Sequence, residues 1–472
     1  MRAAFFSTVA AFAAMSQHPR TAWQPHPDPA LEAAFSTGGA AELVALLRLP
    51  GVQSDRYAHL RILDRLHELM PGDDKVLMGW MQAMLVSNRP SQVWSVVRAW
   101  ADDSTLDPAL ALVAAQVAQT VGESGEARTR YRRLLDRYPA MVDAWQKYLD
   151  FEAHDAVGAD DLEQVTRLFR DPSSPYNREK AGFALAGYHA RSAPGHAFEL
   201  ASEAHRLKRE RLGPWDGTQL ARRLAADRSR RLSPAGEGPA PRPVFIVGLP
   251  RSGTTLLTGM LHAHSQVAGV GEQNLIPALA ATACRDPLSS DPRLPAFVGR
   301  WYRAAVGDLA SGARLVVDKL PSNVEHIGLI LAMFPDALVL HLQRDLADCA
   351  MSIHLRDFEF GCRYADTAVE LADYADQVGR HALHWHARAP GRVLPLRYED
   401  IVRDPSSALA PFFAAAGISW EAGMLDFWRR REQVATFSES QVRRPLNADS
   451  VDAWRRFLPE AGAYLRTLGI QA

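Results

Sequence analysis

Residues 243–257, Pro-Val-Phe-Ile-Val-Gly-Leu-Pro-Arg-Ser-Gly-Thr-Thr-Leu-Leu, limit what this chain can fold into more than any other stretch. The unbroken apolar run Val244 to Val247 predicts a strand buried on both faces, as in a parallel sheet covered by helices. A tight loop follows, with Gly248, Pro250, Arg251, Ser252, Gly253, Thr254 and Thr255, and then a helix. Such a turn points backbone N–H groups at one spot, where a helix N-terminus adds its positive end. The spot suits a phosphate-like anion.

The spacing Gly-x4-Gly matches a nucleotide-binding phosphate loop, but Thr254 stands where that loop carries lysine. The cation is Arg251 instead. Strand and helix patterns alternate downstream. Val316-Val317, Ala337 to Leu342 and Val393 to Arg397 read as strands; Thr255 to Ala263, Val324 to Phe334, Ala347 to Arg356 and Thr367 to Arg388 read as helical. This order predicts a parallel α/β sheet, whose ligands bind beyond the carboxyl ends of its strands. The loop 248–255, Asp318-Lys319, Gln343-Arg344 and Arg397-Tyr398 all follow predicted strands and should meet in one crevice.

The first half reads differently. Residues 30–231 show apolar residues at helical spacing, broken by short polar turns. Leu106 to Pro139 has the length and residue pattern of a tetratricopeptide (TPR) helix pair, and residues 184–205 read as a further pair. The expected architecture is a P-loop-like α/β domain over 243–472, preceded by an all-α TPR-like domain over 30–231. Residues 232–242, rich in Pro and Gly, form a linker, and 1–29 a tail. Stacked repeats present a concave face, so a protein partner on the helical half and a homodimer both stay open.

Composition narrows the function classes. The formal net charge of −1 gives no support to a nucleic-acid partner or a membrane-surface role. The three cysteines, Cys284, Cys349 and Cys362, lack CxxC spacing, so neither a disulfide framework nor a zinc site is expected and a reducing, cytoplasmic setting fits. The apolar run Ala3 to Met15 has signal-peptide character and leaves export open. No run reaches the ~20 apolar residues that span a bilayer.

Several residues carry candidate chemistry. Lys319 is the only lysine after residue 208 in an arginine-dominated chain, which suggests a use for a compact ammonium. Arg344, with Ser352 eight residues on, would grip a second phosphate; a surface ion pair is the alternative. Glu272, after Gly269-Val270-Gly271, is a candidate general base or a solvated loop charge. His262 and His264 are further proton-acceptor candidates. Without the loop lysine or an evident metal-bearing strand, triphosphate hydrolysis is disfavoured.

Together these residues resemble the sulfotransferases that use 3′-phosphoadenylyl sulfate (PAPS), in particular bacterial TPR-containing sulfotransferases and, from Pro243 onward, tyrosylprotein sulfotransferases. The resemblance rests on Pro250-Arg251-Ser252-Gly253-Thr254-Thr255-Leu256, Glu272, Asp318-Lys319-Leu320-Pro321, Gln343-Arg344-Asp345 with Ser352, Arg397-Tyr398-Glu399-Asp400 and Ser438-Glu439-Ser440-Gln441-Val442, in that order. It implies that Arg251 to Thr255 hold the 5′-phosphosulfate, Arg344 and Ser352 the 3′-phosphate, and that Tyr398 lies near the adenosine. It further implies Glu272 as base, Lys319 and Ser438 as stabilisers of the transferring group, and no metal. The acceptor would be a hydroxyl, with peptide tyrosine favoured over a small molecule or glycan. A phosphate-loop kinase and a non-catalytic TPR scaffold are the competing readings. One departure stands out: where tyrosylprotein enzymes carry a donor-binding lysine, this chain reads Asp452-Ala453-Trp454-Arg455-Arg456, so Arg455 or Arg456 would substitute or the contact is lost.

Overall fold

The computed structural model describes residues 23–471 except 50–51, 54, 101–105, 152–156, 237, 282–290, 311, 359–360, 430–443 and 459. Ser438, Cys284 and the apolar N-terminal run lie outside the described residues.

Five parallel strands form one sheet: β1 Arg242–Gly248, β2 Val267–Gly271, β3 Leu315–Lys319, β4 Leu338–Gln343 and β5 Val393–Arg397, in the order β2-β3-β1-β4-β5. Side chains alternate across a strand, and β1 obeys this with apolar residues on both sides. Phe245 and Val247 enter one core, which includes residues of the helix Ala368–Arg388. Val244 and Ile246 enter the other, beneath the helices Thr254–His262 and Pro405–Ala416. All four are fully buried, and burying each such side chain is worth about 1.5–3 kcal/mol. The strand therefore has no solvent face to offer, which is why it sits at the centre of the sheet.

Two local readings change. Gly269-Val270-Gly271, whose two glycines suggest a turn before Glu272, belongs instead to an edge strand, Val267–Gly271, paired with β3, with a register shift between Gly269 and Gly271. Its single fully buried residue, Val270, is too weak a pattern to announce a strand. The stretch Val324 to Phe334 is not one helix: a 3-10 segment, Pro321–His326, hands over to the α-helix Ile327–Met333 at His326, whose φ of −123° is not helical.

Upstream, the chain is helical. Asp107 accepts from Ala109 N to cap the helix Pro108–Thr120, with Pro at its start where no backbone donor is needed. That helix and Ser124–Arg137 form a pair buried along Ala114, Ala115, Tyr131, Leu134 and Leu135. The helical half is packed onto the sheet half rather than hung from it. Fully buried Arg89 pairs with Asp308 and donates to Ala305 O at 2.8 Å. Lys180 and Lys208 meet Asp357 in a buried cluster. The 232–242 stretch is docked as well: Ser233 Oγ donates to Ala332 O at 2.6 Å and Arg303 Nε to Pro239 O at 2.9 Å. Among the described residues, no helix is long and apolar enough to cross a membrane.

Candidate active site

The loop after β1 has a geometry that only its own residues accept. Gly253 has φ of +97°, and a Cβ there would sit 2.3 Å from Tyr398 Cδ2. Glycine is thus required both by the left-handed backbone and by the ring packed against it. Arg251, a non-glycine, also has positive φ (+69°), the kind of backbone strain that a folded frame must hold in place. Ser252 is almost fully buried, and among the described residues nothing pairs with its hydroxyl.

The carboxyl edge of the sheet brings the predicted junctions together, because Gly248 is in register with Leu342, Ile246 with Lys319, and Gln343 with Arg397. Arg251 Nε donates to Ser352 Oγ at 2.7 Å. Arg344 Nη1 donates to Arg251 O at 2.9 Å, its Nη2 donates to Ser450 O, and its guanidinium stacks 4.6 Å over the Tyr398 ring. Among the described residues, buried Arg344 Nε has no hydrogen-bond partner. The Ser352 hydroxyl is thus joined to Arg344 through Arg251, which accepts from Arg344 at its carbonyl and donates to Ser352 from its guanidinium. Arg251, Ser352, Arg344 and Tyr398 form one cluster, and a cavity of about 610 Å³ lined by Ser252, Gln343 and Arg344 opens beside it.

Arg356 is a member that sequence reasoning missed. It follows the helix Leu346–His354 and pairs with Asp150 from the helical half. Burial, then the charges of Arg356 and Arg344, pulls the Arg251 guanidinium down to about 9. Three cations that repel one another define a place where an anion would be stabilised. The available sequence signal was a further arginine, twelve residues after Arg344 and at the far end of the predicted helix Ala347 to Arg356. It had no partner in sequence to distinguish it from a surface charge.

At the end of β3, Lys319 Nζ is hydrogen-bonded to Glu272 Oε1. The lysine is buried and the carboxylate side chain is 42 % exposed. The neighbouring Asp318 is fully buried; Tyr302 Oη donates to its Oδ2 at 3.2 Å and Gln273 N lies 3.4 Å from Oδ1. Burial outweighs these bonds and pushes its carboxyl up to about 8. A neutral Asp318 leaves the ammonium of Lys319 to Glu272. His264 is buried with both nitrogens engaged, Nε2 with Ser419 O at 2.8 Å and Nδ1 with Gln266 N at 3.1 Å. His262 packs beside Gly269. Of the two C-terminal arginines, Arg455 is exposed and lies 3.5 Å from Asp452. Arg456 is exposed as well; partial desolvation, then the charge of Arg191, lowers it, while Asp348 opposes the shift. Asp348 in turn lies 3.7 Å from Arg344. Among the described residues, no group of three or more His, Cys, Asp or Glu side chains is placed to hold a metal.

Residues 243–422 match the Sulfotransferase family. The sheet-bearing half of the chain is similar to that family over those residues, and the chain's relatives include protein-tyrosine sulfotransferases. An uncharacterized protein of Aquifex aeolicus is 30% identical over 369 residues, which is 72% of this chain and 47% of that protein. Protein-tyrosine sulfotransferase 2 of Gallus gallus is 24% identical over 240 residues, 46% of this chain and 64% of its own length. The chain thus spans between about half and two thirds of these relatives. The sulfotransferase domain of the Synechococcus PCC 7002 olefin synthase is 21% identical with a TM-score of 0.36, covering 52% of this chain and all of that one.

Proposed function

We propose that the protein transfers a sulfuryl group from PAPS to an acceptor hydroxyl, with a peptide tyrosine as the favoured acceptor. The observation that carries this reading is the cationic cluster of Arg251, Arg344 and Arg356 around a glycine-shaped loop, with buried polar atoms, Ser252 Oγ and Arg344 Nε, that have no hydrogen-bond partner among the described residues. A donor with two separate phosphate groups fits that arrangement better than a nucleoside triphosphate. The 5′-phosphosulfate would lie on residues 251–255 and the helix N-terminus. The 3′-phosphate would lie toward Arg344 and Ser352, with Arg356 adding charge. Similarity to protein-tyrosine sulfotransferases supports both the donor and the acceptor class.

The chemistry is an in-line displacement at sulfur. The acceptor oxygen forms a bond to sulfur while the bond from sulfur to the phosphate oxygen breaks. The acceptor proton passes to Glu272, and the electron pair stays on the departing phosphate. Adenosine 3′,5′-bisphosphate and a sulfate ester result. Negative charge grows on the bridging oxygen, so fixed cations lower the barrier; Lys319 and Arg251 supply them. Glu272 fits the base role because it is half-exposed and held by Lys319, whereas both nitrogens of His264 are already bound. Residues 30–231 then serve as the TPR-like half, joined by 232–242 to the transferase half at 243–472.

The test is transfer of labelled sulfate from PAPS to a panel of peptides, phenols and sugars, with calorimetry of donor products. Label should enter a tyrosyl peptide. Adenosine 3′,5′-bisphosphate should bind at least tenfold more tightly than ADP, a difference of about 1.4 kcal/mol. Equal affinities would refute the donor assignment, and label entering only sugars would refute the acceptor.

A further inference from the structure

The loop that carries Glu272 is held from outside the sheet half. Between the helices Asp74–Val86 and Pro90–Val97, the turn Ser87-Asn88-Arg89 of the helical half reaches it. Gly271 has φ of +74°, and a Cβ on it would lie 2.4 Å from Asn88 Cγ. The Asn88 side chain therefore rests directly on the residue before Glu272. On the other side of Glu272, buried Gln273 donates from Nε2 to Ser87 O at 3.3 Å. Asn88 itself has φ of +57°, a conformation an asparagine tolerates better than most residues.

The turn is in turn fixed to the same framework. Arg89 donates from Nη1 to Ser87 O at 2.7 Å, from Nε to Asp308 Oδ2 at 2.9 Å and from Nη2 to Ala305 O at 2.8 Å. Its guanidinium lies 5.0 Å from the Trp23 ring. Ala305 is on the helix Leu294–Val306, which also carries Tyr302, the hydrogen-bond partner of Asp318. Asp318 faces Gln273 N. The contacts form a closed ring: Asn88 on Gly271, Ser87 on Gln273, Arg89 on Asp308 and Ala305, Tyr302 on Asp318, and Asp318 back to Gln273.

We propose that the Ser87–Arg89 turn of the helical half is a positioning element for Glu272, so that this half is part of the catalytic apparatus and not only a docking module. The inference rests on Glu272 being the proton acceptor. A displacement of about 1 Å at a reacting group costs on the order of 100-fold in rate, and the contacts of Asn88 and Ser87 are close enough to control such a displacement.

The experiment compares Asn88→Gly, Gly271→Ala, the double variant and Glu272→Gln. It measures transfer of label from PAPS to the fastest acceptor of the panel and binding of adenosine 3′,5′-bisphosphate by calorimetry. Glu272→Gln should lose more than about 100-fold in kcat, within the range of general-base effects. Asn88→Gly should lower kcat about fivefold, and Gly271→Ala 10- to 100-fold, with bisphosphate affinity within about twofold throughout, as expected when orientation rather than binding is lost. The double variant should be faster than Gly271→Ala, because removing the Asn88 side chain removes the collision. Full kcat in Asn88→Gly, or additive losses in the double variant while Glu272→Gln is inactive, overturns the positioning role alone. Turnover retained by Glu272→Gln overturns the base assignment and the positioning role with it. If Gly271→Ala does not fold, Asn88→Gly decides on its own.

Discussion

Asp318→Asn tests the electrostatics behind the Lys319–Glu272 pair. Asp318 is fully buried and its carboxyl is pushed up to about 8 from an ordinary 3.8. Below pH 4 the folded and unfolded chains both carry the proton, and the stabilisation is complete. As pH rises, the unfolded chain releases its proton while the folded protein keeps it. Stability then falls by about 1.4 kcal/mol per pH unit until about pH 8, where the folded side chain ionises as well. The loss over the whole window is on the order of 5 kcal/mol. Asparagine has nearly the same shape and no proton to lose, and it can exchange hydrogen bonds with Tyr302. Urea unfolding, followed by tryptophan fluorescence at pH 5, 6 and 7, should show the parent protein losing about 3 kcal/mol more than the variant across that range. Parallel pH curves would refute the neutral state of Asp318. A parent that gains stability relative to the variant as pH rises would reverse its sign.

Two further perturbations address the anion cluster. Gly253→Ala forces a Cβ into the Tyr398 ring at a backbone angle of +97°, a conformation that costs a non-glycine residue roughly 1–3 kcal/mol; affinity for adenosine 3′,5′-bisphosphate should fall at least tenfold by calorimetry, and an unchanged Kd would refute the cradle. Asp150→Asn removes the carboxylate paired with Arg356, so bisphosphate binding should tighten about threefold at low salt and lose that advantage at 0.5 M salt, where the Debye length is only about 4 Å; weaker binding at low salt would mean that Asp150 serves to hold Arg356 in place.

Much of the site was legible because of where strands end. The apolar run 244–247, with no polar residue on either face, demanded a covered parallel sheet. In such a sheet, residues at carboxyl ends share an edge whatever their separation in the chain, so the sequence pattern alone places Arg251, Lys319, Arg344 and Tyr398 together. Other features were written weakly. The edge strand β2 has two glycines among five residues and one fully buried side chain, so its periodicity could not distinguish it from a turn. Arg356 resembled any helical arginine.

By itself, then, the sequence determined the class of each half, the order of the strands' chemistry and the residue types at their ends, because burial pattern and turn chemistry are local properties. The tertiary structure alone decided which groups touch. It paired Ser352 with Arg251, engaged both nitrogens of His264, brought Arg356 and Asp150 to the cationic cluster, and buried Asp318 deeply enough to keep its proton. It also set Asn88 against Gly271, far away along the chain. Such contacts depend on how two halves pack, and packing is a sum over many side chains that no short motif encodes. The anion loop could be read from fifteen residues, but the support beneath Glu272 required the whole fold.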